Sequence, residues 1–201
     1  MKNILIFGHS RAGKTSLAKR LGEEFRLNVL NEDSLITAFE RAFPQLEING
    51  GENYVQTAIN VTPFMAHYLC VLAEHANFKT GRRFVADMTF FQFDTGIPLM
   101  EKVLQKMGGR KLTDEFLFIG LDNNKSAGEL FDDIRKYDTP EDWTYGLSDD
   151  ELKRHCAENI GVSQTFHEGH NGLRFMNYDV AEGREKIFDK IVADLKRIFE
   201  E

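Results

Sequence analysis

Cysteine is nearly absent: Cys70 and Cys156 are the only two in 201 residues. They lie far apart and form no CxxC pair, which excludes a disulfide framework and fits a reducing cytosol. Long apolar runs are missing too. No stretch approaches the roughly 18 residues that a membrane helix needs. Met1-Lys2-Asn3 leads straight into a strand-like run, so neither a signal peptide nor a membrane span is expected. Basic residues fall short of acidic ones, 25 against 32, for a net charge of −7. That balance argues against nucleic acid or an anionic membrane as the main partner. Internal repeats and low-complexity segments are lacking as well. What is present is ordinary for a globular chain, 42% apolar and 28% charged residues, which excludes disorder. A length of 201 residues suits one domain, 1–201, with a core of its own. The single excess is phenylalanine, 17 against five tyrosines and one tryptophan.

Strand-length apolar runs alternate with helix-period stretches. Ile4-Leu5-Ile6-Phe7 is a continuous run ending at Gly8, the pattern of a strand buried on both faces. Leu17, Leu21 and Phe25 recur at four-residue spacing and predict a helix starting just after Lys14. Leu27–Leu30 predicts a second strand and Ser34–Phe43 a second helix, stopped by Pro44. Residues 44–53 read as a loop around Gly50-Gly51. Val61, Met65, Leu69, Leu72 and Ala76 mark a third helix, Arg83–Asp87 a third strand, and Gly108-Gly109 the end of the helix after it. Phe116–Leu121 and Leu173–Asp179 predict the last two strands, and Ile187, Ile191, Leu195 and Ile198 the closing helix. Ser126-x-x-Glu129 and Ser148-x-x-Glu151 are capping boxes, each opening a helix. Between them, Tyr137–Gly146 reads as a polar, aromatic surface excursion. Such alternation implies a parallel sheet with right-handed crossovers.

The motif that carries chemistry is Gly8-His9-Ser10-Arg11-Ala12-Gly13-Lys14-Thr15, which fits G-x-x-x-x-G-K-[ST] between the first strand and the first helix. A phosphate chain needs several N–H groups turned to one side, and glycines permit that turn. The following helix aims its positive end at the same place. Lys14 would reach the β- and γ-phosphates, and the Thr15 hydroxyl would ligate Mg²⁺.

With this Walker A loop the chain resembles the P-loop NTPase superfamily. Within it, the chain is similar to the small-molecule and nucleotide kinases of the adenylate-kinase-like and shikimate-kinase-like group. The GTPase signatures are missing, since Asn124-Lys125-Ser126-Ala127 lacks the aspartate of N-K-x-D. Adenylate kinase itself does not fit, because the D-G-F-P-R strand end and the loop proline are absent. The group usually carries a glycine where Arg11 stands, and that side chain either projects into solvent or reaches a phosphate. The resemblance implies a doubly wound five-stranded sheet of order 2-3-1-4-5, an acceptor-binding segment over 33–80 and a helical lid over 126–159. It also implies ATP and Mg²⁺ as cofactors, bound by Gly8, His9, Ser10, Arg11, Ala12, Gly13, Lys14, Thr15 and Ser16.

Other residues gain candidate roles from that resemblance. Asp87, ending the third strand, would face the Mg²⁺ shell together with Thr15, or else cap the following turn. Glu32-Asp33 would emerge at the carboxyl edge. Asp33, favoured over Glu32, would orient or deprotonate the acceptor, or else serve as a helix N-cap. In the lid, Arg135 ahead of Arg154 would stabilise the transferring group, or else form an ion pair such as Arg135–Asp132. Lys14, Asp33, Asp87 and Arg135 are thus the catalytic candidates. His167-Glu168-Gly169-His170 misses the zincin spacing and reads as a loop. Phe90, Phe91 and Phe93 read mainly as core.

The expectation is a cytoplasmic kinase, monomer or homodimer, that moves the γ-phosphoryl group of ATP to a small acceptor, with a nucleoside or nucleotide leading. An alternative is an ATP-binding regulatory module whose protein partner is recognised around Trp143.

Overall fold

A computed structural model of the chain describes residues 1–49, 53–76, 81–163 and 173–200. The elements follow in the order β1 (Asn3–Gly8), α1 (Lys14–Phe25), β2 (Asn28–Asn31), α2 (Glu32–Ala42), α3 (Tyr54–Ala76), β3 (Phe84–Asp87) and α4 (Phe93–Lys106). Then come α5 (Leu112–Glu115), β4 (Phe116–Asp122), α6 (Ala127–Tyr137), α7 (Asp149–Ser163), β5 (Met176–Asp179) and α8 (Arg184–Glu200). The strands pair in parallel in the order β2-β3-β1-β4-β5, as expected from the resemblance. The short α5 had no signal in the sequence. β5 is shorter than the apolar pattern suggested, beginning at Met176 rather than Leu173.

The two-residue period of a strand explains the core. Leu5 and Phe7 of β1 point to the side covered by α3 and α4, with Leu69, Met65 and Met100. Ile4 and Ile6 point to the side of α1 and α8, with Leu17, Leu21, Phe188 and Ile191. Each fully buried side chain of this size stabilises the fold by about 1.5–3 kcal/mol.

The phenylalanine excess has a place. Phe7, Phe91, Phe93, Phe118 and Phe175 form one ring network on the α3/α4 side, with Phe7–Phe93 centroids 4.7 Å apart and Phe93–Phe175 5.4 Å apart. Phe90 and Phe91 are both buried, which fits the reading of this run as core.

Helices α6 and α7 stand apart. Leu130, Ile134, Leu152 and Cys156 make a small core of their own. Both capping boxes close: Ser126 Oγ accepts from the Glu129 N–H while Glu129 accepts from the Ser126 N–H, and Ser148 and Glu151 do the same. The turn between these helices, 138–148, covers the excursion anticipated from the sequence. Among the described residues, no helix is long and apolar enough to cross a membrane.

Candidate active site

The phosphate loop is dictated by local geometry. Gly8 ends β1 beside Leu121 of β4, where a Cβ would lie 2.8 Å from the Leu121 carbonyl oxygen. Gly13 has a φ of +92°, the left-handed region that side chains disfavour, and a Cβ there would meet Arg184 and Phe188 at 3.1 Å. From that turn α1 starts at Lys14, so the first-turn N–H groups point toward the loop.

Lys14 is buried, and its ammonium donates to the carbonyls of Gly8 (2.9 Å) and His9 (3.0 Å). Burial lowers its pKa, and the carboxylates of Asp33, Asp87 and Glu32 oppose that shift. A cation held on weak neutral acceptors is ready for stronger anionic ones. His9 is 2% exposed, and burial pushes its pKa down to about 4, so the ring is neutral. Its Nδ1–H donates to the Ser10 carbonyl at 2.5 Å, which leaves Nε2 as a buried acceptor without a hydrogen-bond partner among the described residues.

Asp87 lies where the sheet register puts it, opposite Ile6 of β1 and Asn31 of β2. It is 4% exposed. Thr15 Oγ1 donates to its Oδ2 at 2.6 Å, Asn31 Nδ2 to the same oxygen at 3.4 Å, and the Glu32 N–H to Oδ1 at 3.3 Å. The two metal candidates, Thr15 and Asp87, are therefore in contact.

The cap of α2 is Asn31, whose Oδ1 accepts from the Ser34 N–H at 2.8 Å, so the capping role offered to Asp33 falls to its neighbour. Asparagine caps a helix as well as aspartate does, and that was the available signal. Asp33 is exposed on the helix surface, but partial burial of its carboxyl, with Asp87 nearby, raises its pKa, and Lys14 opposes this.

Glu32 is the stronger anomaly. It is 3% exposed and burial raises its pKa to about 7, against the two backbone N–H groups that hold it charged. Its Oε2 accepts from the N–H groups of Thr89 and Phe90 (2.8 Å for Phe90). Its Oε1 has no hydrogen-bond partner among the described residues. Beside it lies a cavity of about 60 Å³ lined by Leu30, Leu35, Met65, Tyr68 and Met88, with Asn31 and Glu32 at its polar end. A larger cavity of about 370 Å³ lies at the amino ends of β2 and β3, around Asn28 and Phe84. It is at the wrong sheet edge for the loop's chemistry, because ligands of such sheets bind at the carboxyl ends.

The arginines make contacts of their own. Arg135 is not among the loop's contacts. Its guanidinium donates to Asp149 (2.9 Å) and to the carbonyls of Leu147 (2.6 Å) and Thr144 (3.5 Å), and lies 4.0 Å from Asp138. These oxygens end the α6–α7 turn, and a planar five-donor fork satisfies them together, so Arg135 braces that turn. Arg154 is exposed on α7. Arg11 neither faces open solvent nor stands free for a phosphate: it pairs with Asp138 and Asp142 of the turn. Arg184, which no pattern flagged, packs on Gly13 and donates to the Arg11 carbonyl at 3.3 Å. Both cysteines are buried with raised pKa values, so they act as packing groups. The His167–His170 run lies outside the described residues.

A gluconokinase from Sinorhizobium meliloti superposes with a TM-score of 0.58 over 99% of this chain and 94% of its own, at 16% identity. The chain has the fold of the P-loop small-molecule kinases. A shikimate kinase from Bacteroides thetaiotaomicron matches at TM-score 0.55 and 19% identity over 100% of this chain and 99% of its own. A sugar kinase from Janibacter sp. matches at TM-score 0.58 and 12% identity over 98% of this chain and 95% of its own. No family model and no curated protein matches the sequence. At these identities the kinases share a fold with this chain, and the chemistry rests on its own residues.

The residues fit a magnesium-bound nucleoside triphosphate. The two glycines let the loop turn tightly against Leu121, Arg184 and Phe188, and Lys14 is a buried cation whose ammonium donates to the Gly8 and His9 carbonyls. Thr15 and Asp87 supply hard oxygens of the kind Mg²⁺ takes, with the rest of its shell left to water and phosphate.

Proposed function

We propose that the protein is a phosphotransferase that uses MgATP and passes the γ-phosphoryl group to a hydroxyl of a small acceptor. The observation that carries this reading is the convergence of Lys14, Thr15, Asp87 and Glu32 at one sheet edge, joined by the 2.6 Å Thr15–Asp87 bond. The loop N–H groups and Lys14 bind phosphate oxygens, and Thr15 and Asp87 hold the metal. Bound there, MgATP supplies the group transferred; the protein's part is positioning and charge neutralisation.

At the acceptor end, Glu32 takes the hydroxyl proton. Its orphaned Oε1 is a buried acceptor, and a pKa of about 7 suits a general base at neutral pH. Asp33, exposed beside it, orients the acceptor. The cavity lining favours an uncharged aromatic ring over a sugar acid, because it is mostly apolar and includes no arginine or lysine to pair a carboxylate. A nucleoside is the leading acceptor, with its ring near Tyr68 and Met65.

A panel of nucleosides, nucleotides, sugars and small acids, screened by thermal shift with a non-hydrolysable MgATP analogue, tests this. A ligand at 100 times its Kd adds about 2.7 kcal/mol. Stabilisation by nucleosides that needs the analogue supports the reading; stabilisation by sugar acids alone moves the acceptor class. The exposed Tyr137, Trp143 and Tyr145 keep the partner-protein alternative in play. ATP loss that ignores every small molecule and responds to a protein would favour it.

A further inference from the structure

Arginine is a costly choice at position 11. Its φ of +67° lies in the left-handed region, which disfavours any residue with a Cβ. In return its guanidinium reaches across to the α6–α7 turn. Nη2 donates to Asp138 Oδ1 at 3.0 Å and Nη1 donates to Asp142 Oδ1. Water is largely kept out, with the Asp138 side chain 2% exposed and that of Arg11 22%, which strengthens the attraction.

The same two carboxylates fold the turn. Asp142 Oδ2 accepts from the Thr139 N–H and from Thr139 Oγ1, both at 3.0 Å. Asp138 Oδ1 accepts from Thr144 Oγ1 at 2.6 Å, and Thr144 is fully buried. Trp143 sits between Asp142 and Thr144, edge-on to His155 of α7 with centroids 4.8 Å apart. Internal order of the turn and its docking on the loop are therefore one network, and the chain's only tryptophan lies inside it.

The geometry points to Arg11 as a positioning residue that latches the α6–α7 hairpin to the phosphate loop, ordering the turn around Trp143 before any nucleotide arrives and coupling it to loop occupancy. The coupling half rests on the proposed reading of the loop as a nucleotide site; the latch itself does not.

Arg11→Gly removes the guanidinium while suiting the backbone, so loop strain does not confound the result. Trp143 is 57% exposed, so in the nucleotide-free full chain Arg11→Gly should act chiefly by lowering its fluorescence anisotropy, with a smaller rise in acrylamide quenching. Asp142→Asn, at a partly exposed position, should move both in the same direction by less, and Arg11→Lys should fall between wild type and Arg11→Gly. A non-hydrolysable MgATP analogue should shift Trp143 emission in wild type, and at least threefold less in Arg11→Gly, with circular dichroism confirming the fold. Wild-type anisotropy and quenching in Arg11→Gly would overturn the latch. Absence of analogue binding to wild type, with the latch variants behaving as stated, would instead sink the nucleotide reading.

Discussion

The two ends of the cleft obey different rules. At the phosphate loop the residues that carry the chemistry are neighbours in the chain: Gly8, Gly13, Lys14 and Thr15 lie within eight consecutive residues and share one loop and one helix N-terminus, although Leu121, Arg184 and Phe188 pack against them from far along the chain. At the strand-end carboxylates the constraints are distant. Glu32 is held by N–H groups 57 and 58 residues further along the chain, and Asp87 by Thr15, 72 residues before it. The first kind of site is written in a motif; the second exists only once the sheet has aligned its strand ends.

The sharpest way to break this contrast is to remove one group from each end. Lys14→Ala should lower kcat/KM by about a thousandfold, the scale of losing a preorganised charge, with Tm changed by only a few degrees. A large Tm loss with modest kinetic loss would make Lys14 a structural residue.

Glu32→Gln should lower kcat about a hundredfold and flatten the pH profile near neutrality, and it should act on stability in the opposite direction. The fold raises the Glu32 pKa from 4.5 to about 7, so between those values the native state holds a proton that the unfolded chain has released. Stability contributed by this group therefore falls as pH rises from 4.5 to 7, by about 3 kcal/mol. Denaturant melts of Glu32→Gln at pH 5 and pH 8 should lack that fall, leaving the variant more stable than wild type at pH 8. Parallel curves for the two proteins would refute the buried-carboxyl account.

Smaller effects sharpen the local end. Gly13→Ala should destabilise by about 1–2 kcal/mol through its positive φ alone and weaken analogue binding with it. Glu129→Ala, which opens the capping box of α6, should lower stability only slightly and leave analogue affinity unchanged, as thermal melts and analogue titration would show.

Legibility in the sequence follows the same division. The continuous run Ile4–Phe7, the Leu17/Leu21/Phe25 spacing and both capping boxes needed only neighbours in the chain, and each element is present. Strand order came from resemblance, and the parallel ladders agree with it. The sequence favours Asp33 over Glu32 without access to what separates them, which is burial, a tertiary property: Glu32 is buried and Asp33 exposed. Arg135 reads from sequence as a lid residue or as a partner of Asp132, and its bonds go to oxygens of Thr144, Leu147 and Asp149, which only the folded hairpin brings to it. The partners of Arg11 lie 127 and 131 residues away, so its pairing with Asp138 and Asp142 was not legible in the sequence.

The central claim, phosphoryl transfer from ATP to an acceptor hydroxyl, is tested most directly by following ADP formation with Mg²⁺ and a nucleoside panel, in wild type and Glu32→Gln. The account predicts ADP formation that requires one acceptor, yields that acceptor's phosphate monoester in equal amount, and drops about a hundredfold in Glu32→Gln. ADP formed at the same rate with no acceptor, and unaffected by the Glu32 change, would contradict it.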